Sequence, residues 1–139
     1  ALITAFPASP AYLAQTIRAI AATRPAAMIL LGHGEGNFPA GGGLIRQAMA
    51  EARAAGAEII AATRVSEGSV GGFHYAAGAW LAEIGAISAG DMTTMATYAK
   101  TAILLAAAAH HGWNTQQVRT LIGRNLWGEM GADSAPATG

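Results

Sequence analysis

Gly32-His33-Gly34-Glu35-Gly36-Asn37 is the first stretch of this chain whose residue types could do chemistry. Glycines that follow a strand let backbone N–H groups approach a bound anion. The spacing departs from the G-x-G-x-x-G of dinucleotide sites, and Glu35 would repel a phosphate. The next strand ends in Ala62-Thr63, with no acidic residue to hold a ribose. The stretch therefore reads as a tight turn that presents Asn37. A side-chain amide both donates and accepts, and Gly36 and Pro39 stiffen the loop around it. Asn37 can orient a small polar substrate or a hydroxyl. The alternative is a turn asparagine bonded to its own backbone.

A second polar group, Thr63-Arg64-Val65-Ser66-Glu67-Gly68, follows a strand end. Arg64 carries the planar fork that binds a carboxylate in two places; a surface pair with Glu67 is the competing reading. Asp91 lies in Ala89-Gly90-Asp91-Met92-Thr93, at a helix start where Asp or Thr serves as a cap. His110 and His111 are adjacent and point to different sides of a helix, whereas helical metal pairs stand three or four apart. His33 and His74 are isolated, so no metal site is expected. Gly68-Ser69-Val70-Gly71 is one residue short of a G-x-S-x-G elbow, and nothing else assembles a Ser-His-Asp set. The chain has 0 Cys, which excludes disulfides, a thiol nucleophile and Cys-ligated zinc. No cofactor is implied.

Alternating apolar runs and amphipathic stretches must position these loops. Ala1–Phe6 reads as a strand, and Ser9-Pro10 opens a helix that places Leu13, Ile17 and Ile20 on one face. Ala27–Leu31 is a continuous apolar run, the mark of a strand covered on both faces. Leu44–Ala55 is an amphipathic helix closed by Gly56, and Ala57–Thr63 is the third strand. A helix from about Tyr75 to Glu83 ends at Gly85, and Ala86–Ser88 is a brief fourth strand. Thr93–His111 is a long helix. Asn114, with Gln117 three residues on, caps a last helix whose buried stripe is Val118, Leu121, Ile122 and Leu126. The expected fold is α/β, a Rossmann- or flavodoxin-like three-layer domain. It has a parallel sheet of about four strands and helices on both faces. It spans residues 1–130, with residues 131–139 a flexible Ala, Ser, Pro, Thr and Gly tail. Ligands gather at the carboxyl ends of such strands, so Gly32–Gly43, Arg64–Phe73 and Ala89–Asp91 form the functional edge.

Composition narrows the class. Charged residues are 12% of the chain and the net charge is +0, less than a free-standing monomer of this size needs for solubility. Part of the surface is therefore expected to face another domain or subunit; an Ala- and Gly-rich bias is the alternative. The scattered Lys and Arg do not form a nucleic-acid footprint. No apolar run approaches the roughly 20 residues that span a bilayer. The chain reads as strand from its first residues, so a targeting segment is unobservable rather than absent.

The order of landmarks resembles the carboxy-terminal domain of bacterial L-asparaginases, closest to the cytoplasmic type I branch. The matching pieces are Gly34-Glu35-Gly36-Asn37, Ala57–Val65 with Glu67-Gly68, Tyr75-Ala76-Ala77-Gly78, Gly85–Thr93 and Asn125-Leu126-Trp127-Gly128-Glu129. The resemblance implies hydrolysis of the asparagine side-chain amide, by acyl transfer from a threonine nucleophile with Asp and Lys partners. Those residues sit in T-G-G-T and G-T-D motifs of an amino-terminal domain, and neither motif occurs here. No catalytic residue is therefore expected in this chain. The expected partners are L-asparagine, the missing amino-terminal catalytic domain and further copies in a homo-oligomer, with no nucleic acid and no membrane. The resemblance gives Asn37, with Gly36, a substrate-site role across a dimer. It also points to an effector pocket near Leu31, Thr63, Arg64 and Val65, with Asp91 close by. The apolar Leu31 and Val65 depart from the polar or thiol residues of members that bind an effector. Two other readings stay open: a regulatory domain that binds a small amino acid through Arg64 and Glu67, and part of an amidotransferase subunit for transfer-RNA-linked amidation.

Overall fold

The computed structural model describes residues 1–65, 69–70 and 78–131. A continuous apolar strand is stable only where both of its faces are covered, and the run at Ala27–Leu31 takes the centre of the sheet together with the strand that follows it. β1 (Leu2–Thr4), β2 (Ala27–Gly32), β3 (Glu58–Thr63) and β4 (Ile87–Ser88) lie in sequence order, each parallel to its neighbour. β2 and β3 are buried along their whole length. Register places Ile29 beside Leu2 on one side and Ile60 on the other.

Alternation along the strands divides the core. Met28, Leu30, Ile59 and Ala61 face α1 (Pro10–Ala22), α2 (Leu44–Ala54) and α3 (Ala79–Glu83). Ile29, Leu31, Ile60 and Ala62 face α4 (Thr94–His111) and α5 (Thr115–Ile122). Right-handed crossovers between strands taken in order put the first three helices on one face. The fourth strand then releases the chain to the other. The expected three-layer α/β arrangement is the observed one. None of the helices is long and apolar enough to cross a membrane, among the described residues.

Local chemistry sets the helix ends. The Ser9 hydroxyl accepts from the Tyr12 N–H, and Asn114 and Gln117 form a reciprocal capping box. Thr93, not Asp91, caps α4, accepting from the Ala96 N–H. Asp91 lies two residues too early, and its carboxylate instead accepts the Gly131 N–H at 2.9–3.0 Å. Other boundaries also differ from expectation. β1 is shorter than Ala1–Phe6, because Phe6 is already exposed beyond the last paired residue, Thr4. Leu126 lies past the end of α5 and packs on the core from the following turn. Residues 75–77 of the expected third helix, and the tail from residue 132, lie outside the described residues.

Buried charges are paired. At the amino end of β3, Glu58 meets both Arg53 and Arg119. Lys100, only 2% exposed, reaches from α4 to Glu129 and to the Arg124 carbonyl. Glu129 also accepts the backbone N–H groups of Leu126 and Trp127, so one carboxylate closes the whole carboxy-terminal turn. Burial pushes this carboxyl up. The Lys100 ammonium and the backbone donors outweigh it and hold it down to about 2, against its ordinary 4.5. A depressed carboxyl stabilises the fold fully above its unfolded value. That contribution therefore drains away as pH falls from about 4.5 towards 2. Glu129→Gln leaves Lys100 buried without its counter-charge. We expect it to lose about 3 kcal/mol at neutral pH and to flatten this acid limb. Urea denaturation at neutral and acid pH checks both; an unchanged midpoint at neutral pH contradicts them.

Candidate functional site

The carboxyl end of β2 carries no side chain, and the loop after it depends on that gap. His33 and Asn37 exchange backbone hydrogen bonds, the His33 N–H to the Asn37 carbonyl at 2.9 Å and the Asn37 N–H to the His33 carbonyl at 2.8 Å. This bridge folds residues 34–36 back over the strand end. A Cβ on Gly32 would lie 2.5 Å from the Gly36 carbonyl carbon, so only glycine lets the two backbones meet. Gly36 has φ +86°, and a Cβ there would meet the Val70 side chain at 2.8 Å. The Thr63 hydroxyl, from the end of β3, donates to the Gly34 carbonyl and accepts the Val65 N–H.

Asn37 is also held from its other side. Phe38 is fully buried, and its carbonyl accepts the indole N–H of the buried Trp80 at 3.1 Å. Val70 links the loop to β4: its N–H donates to the Gly90 carbonyl, and its carbonyl accepts the Ser88 hydroxyl at 2.7 Å. The result is an exposed Asn37 on a backbone fixed before and after it. No hydrogen bond among the described residues engages its side-chain amide. The amide lines a groove of about 510 Å³ with Phe6, Pro7, His33, Phe38 and Trp80.

This groove can bind and orient a small polar molecule through one amide set in an apolar wall. Its described lining contains no Ser, Thr, Cys, Lys or carboxylate, so it offers no nucleophile paired with a base. The other residues singled out by sequence stand elsewhere. Thr63 is buried and bonded to the glycine loop, and Arg64 is exposed with Nη1 donating to the Ala5 carbonyl at 3.3 Å. Glu67, its expected partner, lies outside the described residues, as does His74. Val65 is exposed, and Leu31 points into the core beneath α4 and α5. Asp91 is half-buried beyond β4 with its carboxylate on Gly131. Thus Thr63, Arg64 and Val65 sit beside the glycine loop, Asp91 stands apart, and none of the four lines the Asn37 groove.

The two histidines that end α4 do come together, with ring centroids 4.7 Å apart, and His111 stacks on Trp113. No group of three metal-binding side chains occurs among the described residues. Sequence reasoning missed Phe38, Val70 and Trp80, which seat the loop. The available signal was a large apolar residue directly after Asn37, in an otherwise small and polar loop.

The family model of the glutaminase/asparaginase C-terminal domain matches residues 2–122. Among solved structures, L-asparaginase I from Vibrio cholerae aligns at 31% identity with a TM-score of 0.80. The thermostable L-asparaginase from Thermococcus kodakarensis aligns at 29% identity with a TM-score of 0.77. Each alignment covers 94% of this chain but only 37% of the relative. None of the curated protein sequences matches.

The glycine geometry gives a graded test. Gly32→Ala drives a methyl group into backbone and is expected to destabilise the fold by about 3 kcal/mol. Gly34→Ala meets nothing within 4 Å and suffers only its φ of +50°, a cost of about 1 kcal/mol. Thermal denaturation of the two variants should rank them in that order; equal losses contradict the close approach.

Proposed function

Because the chain belongs to the glutaminase/asparaginase family through its C-terminal domain, we propose that it is the carboxy-terminal part of an L-asparaginase-type amidohydrolase. The reaction is hydrolysis of L-asparagine to L-aspartate and ammonia. The observation that carries the reading is Asn37: a side-chain amide fixed on both sides, open to a groove whose described lining holds no nucleophile. Such a group positions; it does not attack. The attacking threonine, with its Asp and Lys partners, belongs to an amino-terminal domain. The chain's coverage of only 37% of each asparaginase relative supports a missing part of that kind.

Asn37 faces away from its own core, so its proposed target is the active site of a second subunit in a homo-oligomer. There its amide donates to and accepts from the substrate and the nucleophile network, holding both in reacting geometry. A cytoplasmic setting goes with the type I likeness. An effector pocket at Thr63, Arg64 and Val65 is not part of the proposal. The Thr63 hydroxyl is committed to the Gly34 carbonyl, and the Arg64 guanidinium reaches the Ala5 carbonyl.

The chain alone is expected to release no ammonia from asparagine, and to restore turnover when combined with the amino-terminal domain. In the assembled enzyme, Asn37→Ala should lower kcat/KM about a hundredfold and leave the melting temperature unchanged. Ammonia release by the chain alone, or unaltered kinetics in the variant, would overturn the reading.

A further inference from the structure

Asn37 is held on its near side by several contacts and on its far side by one. Before it, the loop is tied by the His33 bridge, by the Thr63 hydroxyl on the Gly34 carbonyl and by the Val70 side chain against Gly36. After it, Pro39 has no N–H to give. The Ala40 carbonyl is the next bonded group, accepting from the Gly43 and Arg46 N–H groups at 3.0 and 3.4 Å. Between Asn37 and Ala40 the described residues supply a single hydrogen bond to the backbone. It is the one from the Trp80 indole N–H to the Phe38 carbonyl, at 3.1 Å.

Both partners of that bond are buried, Phe38 at 1% exposure and Trp80 at 5%. Water has little access to replace the donor, and a buried carbonyl left without one is costly. Trp80 has little freedom of its own. Its helix, α3, is pinned by the fully buried Leu81 and by Glu83, which pairs with Arg46 of α2 at 2.5 Å. A core position that needs only volume is served by Leu or Phe. A buried tryptophan that finds an acceptor is used at both ends, the ring for packing and the N–H for direction.

We propose that Trp80 is a positioning residue for the amide hydrolysis and acts through Asn37. The proposal rests on the role given to Asn37 above. Trp80 fixes the peptide just beyond Asn37, and with it the direction in which the amide leaves the loop. Its ring shares the groove wall with that amide, but its one polar atom is spent on Phe38. Freed from the indole, Phe38 can turn, and Asn37 turns with it. A misplacement of about 1 Å at a group of this kind costs about a hundredfold in rate. A loosened but still bridged Asn37 should cost less.

In the assembled enzyme, Trp80→Phe should lower kcat about tenfold and leave KM within about twofold. Replacing Trp80 by 3-benzothienylalanine keeps the fused ring and removes only the N–H. It should give the same loss, and it decides the matter where Trp80→Phe folds poorly. In the Asn37→Ala enzyme, Trp80→Phe should cost nothing further. A role in stability alone would lower the active fraction by the same factor in both backgrounds. Trp113→Phe, on the α4–α5 side, should leave the kinetics unchanged. Wild-type kinetics in both Trp80 variants, with Asn37→Ala still slow, overturn this proposal and spare the role of Asn37. Losses that multiply in the double variant overturn it as well. Unaltered kinetics in Asn37→Ala remove the proposed function and this proposal together.

Discussion

The contact between the end of β2 and the loop that follows it governs everything else at the functional edge. Two backbones meet there with no side chain between them, Gly32 under Gly36 and Asn37. That approach lets the His33–Asn37 bridge close, and the bridge sets the direction in which the Asn37 amide leaves the loop. The glycines here matter for the side chain they lack. They remove bulk, so that a short loop can fold over a strand and be clamped by Thr63, Val70 and Phe38. A positioning residue needs this kind of support, since geometry within a few tenths of an ångström is the whole of its contribution.

The sheet beneath gives that loop a rigid floor. β2 and β3 are covered on both faces, and the sequential strand order brings three loop ends to one edge. The order also contains no reversal, hence no switch-point crevice inside the sheet. A ligand must therefore lie against the edge loops and be enclosed by something else. The groove around Asn37 stands open on this chain.

Much of this was legible in the sequence. The unbroken apolar run at 27–31, with the shorter Ile59–Ala62 inside the third strand, marked the central strands, because only doubly covered strands can be so apolar. Ser9-Pro10 and the Asn114–Gln117 pair marked helix starts by local chemistry that tertiary packing did not override. The sequence offered both Asp91 and Thr93 as the cap of one helix, and only the fold shows which has the extended backbone at the right position; Thr93 does. The seating of Asn37 rests on the bond from Trp80 to the Phe38 carbonyl, between residues 42 apart, a link no local reading reaches.

The central claim is that Asn37 completes a site on another subunit, and subunit mixing tests it most directly. One parent enzyme would carry Asn37→Ala, the other an alanine in place of the nucleophilic threonine of its amino-terminal domain. Each is inactive or nearly so alone. If Asn37 acts across the interface, random reassortment creates hybrids with one intact site and recovers about a quarter of the wild-type activity. If the mixture stays as inactive as its parents while mass measurements show that hybrids have formed, Asn37 serves its own subunit or none, and the account is wrong.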